Sequence, residues 1–169
     1  MSILGKLLTL CAVLAISACT NATSYDDTNS ANLNSGATGV PGSATDPTSI
    51  AYFQQTVGDR ILFAVDQSTL SDEGRTALQG QADWLSANTD YTAVIEGHAD
   101  EQGTREYNLA LGARRANAAR EFLVSRGVAG NRLKVVSFGK ERPIEICSDE
   151  NCYSKNRRAV TILTSGLTG

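Results

Sequence analysis

YTAVIEGHADEQGTREYNLALGARRANAAREFLVSRG, residues 91–127, changes its hydrophobic period partway along. Tyr91 to His98 form a short apolar run with β-branched residues and read as a strand. From about Glu106 the apolar residues recur at helical spacing. Gly127 stands where helices end, so residues 106–126 read as a helix. On the strand, Glu96, His98 and Asp100 alternate to one side and Ile95, Gly97 and Ala99 to the other. On the helix, Asn108, Leu111, Arg115, Ala118 and Phe122 share a stripe, whereas Arg114 lies about 100° away and is expected in solvent. A guanidinium on an apolar stripe is costly unless paired. Arg115 therefore needs an acid at the same end of the sheet or a ligand carboxylate, and Asn108 points into the same corner.

The flanking sequence continues this alternation. RILFAV (60–65) reads as a short strand. Ser71 then caps a helix with Asp72 and Glu73 in its first turn, where negative charge suits the helix dipole. Leu78, Ala82 and Leu85 fall on one face of that helix, with Trp84 beside them. LKVVSFG (133–139) and RRAVTILT (157–164) supply two further strands. This order predicts an α/β (α+β) two-layer sandwich over residues 51–169, one mixed sheet of about four strands with helices packed on it. At 169 residues the chain suits one such domain plus an appendage, and no internal repeat is apparent.

The appendage is N-terminal. Lys6 precedes the apolar run LLTLCAVLAI, which is too short to span a bilayer, since spanning takes about 20 residues. The box Ile16-Ser17-Ala18-Cys19 resembles that of bacterial lipoproteins, in which cleavage leaves an acylated cysteine first. An ordinary secretory signal cut near Ala18 is the other reading. On the lipoprotein reading, residues 1–18 are a signal peptide, Cys19 carries the lipid, and several acyl chains hold the protein at a membrane. Thr20, rather than Asp, follows the cysteine and points to the outer membrane, with the domain in the periplasm. Residues 19–50 are then a lipidated N-terminus and flexible linker. From Thr20 to about Ser49 the chain has two prolines, three acids (Asp26, Asp27 and Asp46), no Lys or Arg, and almost no large apolar residue. Such a composition buries too little surface to offset its ordering entropy and predicts a disordered tether. About 30 residues of this kind span roughly 30 Å on average and about 100 Å at full stretch.

Removing Lys6 from the 15 basic side chains leaves 14 against 18 acidic ones, a net of −4. No strongly basic domain is present to attract nucleic acid. Cys11 leaves with the signal and Cys19 is the anchor. Cys147 and Cys152 remain in an oxidising compartment, where so close a pair predicts a disulfide. Closing so small a loop stabilises by about 2 kcal/mol. A zinc pair is the competing reading, but it needs further ligands and His98 is the single histidine, so no metal site is expected.

From the residues alone, the corner with Asp100, Asn108 and Arg115 admits three readings. Asp100 and Arg115 form an internal bridge that only fastens the loop to the helix, or they clamp a ligand. Alternatively, His98 and the carboxylates do acid/base work. No Ser or Cys nucleophile context stands beside His98, and no G-x-S-x-G occurs.

The run VIEGHADEQGTREYNLALGARRANAAREFL (94–123) closely resembles the OmpA-like domain family, and within it the lipoprotein branch of the Tol–Pal system. The likeness extends from ILFAVD through VVSFGKERP to SKNRRAV, nearly the whole domain. It implies non-covalent binding of peptidoglycan through the diaminopimelate of the stem peptide, without catalytic residues or a cofactor. The implied role is to link outer membrane and cell wall, supporting envelope integrity and outer-membrane invagination at division. Its implied partners are the Tol-system proteins TolB and TolA. The resemblance places ligand binding on Asp100, Arg115 and Asn108, with Asp66, His98, Thr104 and Leu111 around them. A carboxylate at Asp100 suits the ammonium of diaminopimelate. A guanidinium at Arg115 suits its carboxylate through two parallel bonds. Backbone N–H groups near Thr104 to Glu106 can assist the carboxylate.

Two departures stand out. The family often has F-D-F-D after the first strand where this chain has FAVD, so Val65 replaces an aromatic while Asp66 is kept. The cysteine pair in EICSDENCYSKNRR, which many relatives lack, reads as a local staple. Asp100→Ala and Arg115→Ala are both expected to abolish binding while leaving the domain folded. A peptidoglycan hydrolase is the alternative function. A flagellar stator would need a membrane-spanning helix, and a porin a transmembrane barrel.

Overall fold

The alternation in Tyr91–His98 (β2) buries Ala93 and Ile95 beneath the helices and leaves Thr92 exposed on the opposite face. A computed structural model describes residues 41–165, so the expected signal peptide, the lipidated Cys19 and most of the expected tether lie outside the described residues. A turn at Ile50–Tyr52 (α1), capped by Ser49, runs on as a π-helical segment, Phe53–Gly58. Then come β1 (Arg60–Leu62), α2 (Asp72–Ala87), β2, α3 (Arg105–Ser125), β3 (Leu133–Gly139), α4 (Glu150–Asn156) and β4 (Arg158–Ser165). The strands form one sheet in the order β1-β4-β2-β3. β4 is antiparallel to both its neighbours and β2 is parallel to β3. A parallel pair needs a long crossover, and α3 supplies it. The expected mixed-sheet sandwich is the observed fold. Phe53, Leu78, Leu85, Ile95 and Leu123 fill its core. Ser71 caps α2 by accepting from the Gly74 N–H at 3.1 Å, and Gly127 (φ +95°) follows α3. Among the described residues no helix is long and apolar enough to cross a membrane.

Three features differ from the sequence reading. β1 stops at Leu62 rather than Val65, because the chain turns at Asp66, whose φ is +58°. α4 interrupts what reads as a loop. Asp149 starts it by accepting from the Asn151 and Cys152 N–H groups at 2.8 and 3.3 Å. The packed part also begins before Ala51. The Trp84 indole donates to the Pro47 carbonyl (2.8 Å), the Tyr91 hydroxyl donates to the Thr48 carbonyl (3.0 Å), and Ser49 is buried. These contacts use main-chain carbonyls, which a polar composition does not reveal.

Candidate functional site

The site begins where β2 leaves the sheet. The register against β3 shifts between Gly97 and His98. The extra residue in that shift is Phe138 of β3. β2 itself ends at His98, so alternation no longer binds Asp100, which lies in the loop beyond and faces α3 rather than the His98 side. Gly97 and Gly112 bring the backbones of β2 and α3 into contact; a Cβ at Gly97 would fall on the Gly112 carbonyl. Thr104 caps α3 by accepting from the Tyr107 N–H at 3.2 Å. Between the end of β2, the start of α3 and the turn after β1 lies a cleft of about 240 Å³. Asp66, Asp100, Tyr107, Asn108 and Leu111 line it, and Val65 is half exposed on its wall.

The cleft presents acceptors. Asp100 is buried, taking the Gln102 N–H on Oδ1 (3.2 Å) and Arg157 Nη1 on Oδ2 (3.2 Å). Asn108 is buried and donates Nδ2 to the Gln102 carbonyl at 2.7 Å. No donor among the described residues meets its Oδ1. Asp66 accepts from the Tyr107 hydroxyl, and this bond raises the tyrosine's pKa. Asp is one of the few residues that tolerate the left-handed backbone found at Asp66.

Arg115 lies beneath these groups, fully enclosed. Its Nε donates to the Gln67 carbonyl (2.7 Å), Nη1 to His98 (2.8 Å) and Nη2 to Ala64 (3.1 Å), with the guanidinium 5.2 Å above the Phe63 ring. Two of the five guanidinium N–H hydrogens remain, one on each terminal nitrogen. Burial lowers the Arg115 pKa to about 10 against the pull of Asp100 and Asp66, so it stays cationic at neutral pH. An internal bridge does form at this corner, but Asp100 makes it with Arg157 rather than Arg115. Arg114 is exposed, as its position on the helix predicts.

The structure thus gathers Asp66, Asp100, Asn108 and Leu111 at one cleft, with Thr104 at the helix start and Arg115 below. It does not bring the His98 ring there. That ring is buried on the other face of the sheet, stacked on Phe138 with Nε2 3.6 Å from Glu96 Oε2, and among the described residues its two nitrogens have no hydrogen-bond partner. Burial, with Arg158 and Arg142 nearby, pushes its pKa down to about 4 from the ordinary 6.5. Between these values the unfolded chain binds a proton that the folded chain refuses. Folding stability is therefore fully present above pH 6.5 and declines as pH falls to about 4. The loss should reach at most about 3 kcal/mol. His98→Leu should flatten this part of the profile in urea unfolding measured from pH 7 to 4.

Sequence reasoning missed Tyr107 and Arg157. Tyr107 sits beside Asn108 in EYN, but its bond to Asp66 exists only across the fold. Arg157 is 57 positions from Asp100, and the twin arginines of KNRR were the available signal. Cys147 and Cys152 are joined, with Cα atoms 5.7 Å apart, so neither sulfur is a free thiolate for a metal.

Residues 62–157 match the model of the OmpA family. A curated relative from Mesorhizobium japonicum, described as a peptidoglycan-associated lipoprotein, is 50% identical over 158 residues, covering 94% of this chain and 90% of the relative. The crystal structure of the peptidoglycan-associated lipoprotein from Burkholderia pseudomallei superposes with a TM-score of 0.65 at 34% identity, covering 70% of this chain and all of that one. The C-terminal domain of Helicobacter pylori MotB shares the fold alone, with a TM-score of 0.59 at 19% identity over 63% of this chain and 84% of that one.

Proposed function

We infer, from the premise that this chain belongs to the OmpA family and to its peptidoglycan-associated lipoproteins, that it binds peptidoglycan non-covalently in the cleft beside Asp100. The observation that carries this reading is a set of inward-facing acceptors, Asp100 and the free Oδ1 of Asn108, placed above the enclosed Arg115 cation. The far end of diaminopimelate carries an ammonium and a carboxylate on one carbon. Asp100 and Asn108 accept from the ammonium, with Asp66 adding charge at the rim. Arg115 meets the carboxylate with its two remaining N–H hydrogens. Arg115 is fully enclosed, so the carboxylate must displace floor groups to touch it. Leu111 supplies apolar wall, and Val65 leaves the opposite wall thinner than an aromatic would.

On this reading residues 1–18 are a signal peptide, Cys19 carries the lipid, and the chain from there to about residue 46 tethers the domain, which packs from Pro47 onward, to the outer membrane. The protein joins that membrane to the wall, with TolB and TolA as partners. The hydrolase alternative has no observation behind it, since the single histidine lies outside the cleft.

Asp100→Asn keeps the side chain's size and removes its charge. It should weaken co-sedimentation of the full chain with purified sacculi by about 10- to 100-fold in affinity, the worth of a hydrogen bond to a charged group. Wild-type-like co-sedimentation of this variant would refute the assignment. Equal affinity for diaminopimelate- and lysine-containing stem peptides would refute the ligand.

A further inference from the structure

We propose that the Cys147–Cys152 staple and α4 are a positioning device for the cleft, so that ligand affinity depends on the oxidised state of the pair. The proposal rests on the cleft reading above.

Two adjacent residues, Asp100 and Glu101, are held from one short segment. Arg157, buried at the end of α4, donates from Nη1 to Asp100 Oδ2 (3.2 Å) and to Glu150 Oε2 (3.2 Å). Its Nη2 bonds the second Glu150 oxygen, and its Nε holds the Phe63 carbonyl at 3.1 Å. Glu150 thus fixes the arginine that fixes Asp100. The Ser148 hydroxyl (2.7 Å) and the Tyr153 hydroxyl (2.8 Å) both donate to Glu101 Oε1. These bonds hold the Glu101 carboxyl below the usual range. Ser148 and Glu150 lie inside the ring closed by the disulfide, and Tyr153 is one residue past it.

Little else orders this segment. The stretch before it is exposed, with Ile146 at 91%. Within the segment Asp149 caps α4, and its ties to the rest of the domain include the Phe63 N–H to the Arg157 carbonyl (2.9 Å), the Asn156 side chain to Ile144 and Glu145, and the surface pair Lys155–Glu145. Cys152 is buried while Cys147 is half-buried, so Cys147 is the sulfur open to attack. A dithiol reductant opens the pair by thiol–disulfide exchange. Two electrons pass to the protein's sulfurs, which leave as thiols, and the dithiol closes to its own disulfide. Opening frees the segment that orients Glu150, Ser148 and Tyr153, and Asp100 loses the brace that preorganises it.

The test is calorimetric titration of the full mature chain with a stem peptide ending in diaminopimelate and with its lysine counterpart. The chain is used oxidised, reduced with dithiothreitol, and as Cys147→Ser/Cys152→Ser. The open forms should bind the diaminopimelate peptide about tenfold more weakly and lose part of their preference over lysine. Glu150→Gln in the oxidised chain should weaken binding in the same direction with the disulfide intact. Lys155→Gln, which removes only an exposed ion pair worth little to the order of the segment, should leave binding unchanged. Equal affinity in oxidised and reduced chains overturns the proposal. If reduction unfolds the domain, Glu150→Gln decides, and a variant that binds like wild type overturns it. No binding by the oxidised wild type instead overturns the cleft reading itself.

Discussion

Arg115→Ala should lower the free energy of unfolding by about 3–5 kcal/mol, the cost of breaking a buried charged network. The guanidinium ties two separate pieces of backbone through three carbonyls: the turn after β1 through Ala64 and Gln67, and the end of β2 through His98. Alanine leaves those carbonyls facing a cavity without a donor, and each buried unsatisfied group costs about 1–3 kcal/mol. It also removes the cation above Phe63. Arg115→Lys restores charge but cannot reach three carbonyls from one ammonium, so most of the loss should persist. Equilibrium urea unfolding measures both variants, and a shift under 1 kcal/mol for Arg115→Ala would show that the network is dispensable. The sequence reading expects Arg115→Ala to remain folded, but the structure makes this arginine a strut as well as a candidate ligand group. Asp100→Asn is therefore the sharper binding test.

Gly97→Ala should destabilise by about 3 kcal/mol or more, at the upper end of what overpacking costs. The added methyl would land on the Gly112 carbonyl and sit 3.1 Å from the Ala116 Cβ. Neither neighbour is a flexible chain end, so strand and helix must move apart. The same displacement would pull Asn108 and Leu111 away from Asp100, and stem-peptide affinity should fall with stability. Gly74→Ala is the control. Its methyl would meet nothing nearer than the Ser71 Oγ at 3.4 Å, and in the first turn of α2 it should be neutral or stabilise by up to about 1 kcal/mol. Urea midpoints of the two variants should move in different directions, or only the first should move.

The strand and helix order was legible because burial writes a period into the chain. Ala93 and Ile95 alternate in β2, and Leu111, Arg115 and Phe122 recur along α3. The burial of Arg115 was legible for the same reason. Its partners were not, since main-chain carbonyls carry no sequence signature. Asp100 was legible as a loop acid, but its pairing with Arg157 depends on β4 running back beside β2, a topological fact. His98 misleads for a simpler cause. The strand ends at His98, so the period of two no longer holds for the aspartate two residues on, which turns to the other side. α4 is seven residues long, too short for periodicity to show.

The clasp of Trp84 and Tyr91 on Pro47 and Thr48 has a mechanical meaning. Beyond the local turn at 42–49, a pull on the chain ahead of residue 41 is taken up at these two bonds, upstream of β1. Trp84 is itself wedged between Phe53 and Tyr91, with ring centroids 5.0 and 5.1 Å away. The load is thus delivered to the packed end of α2 and the start of β2. β1, an edge strand with only three paired residues, is spared from peeling. The domain is moored by its thickest timber, at the opposite end of β2 from the cleft.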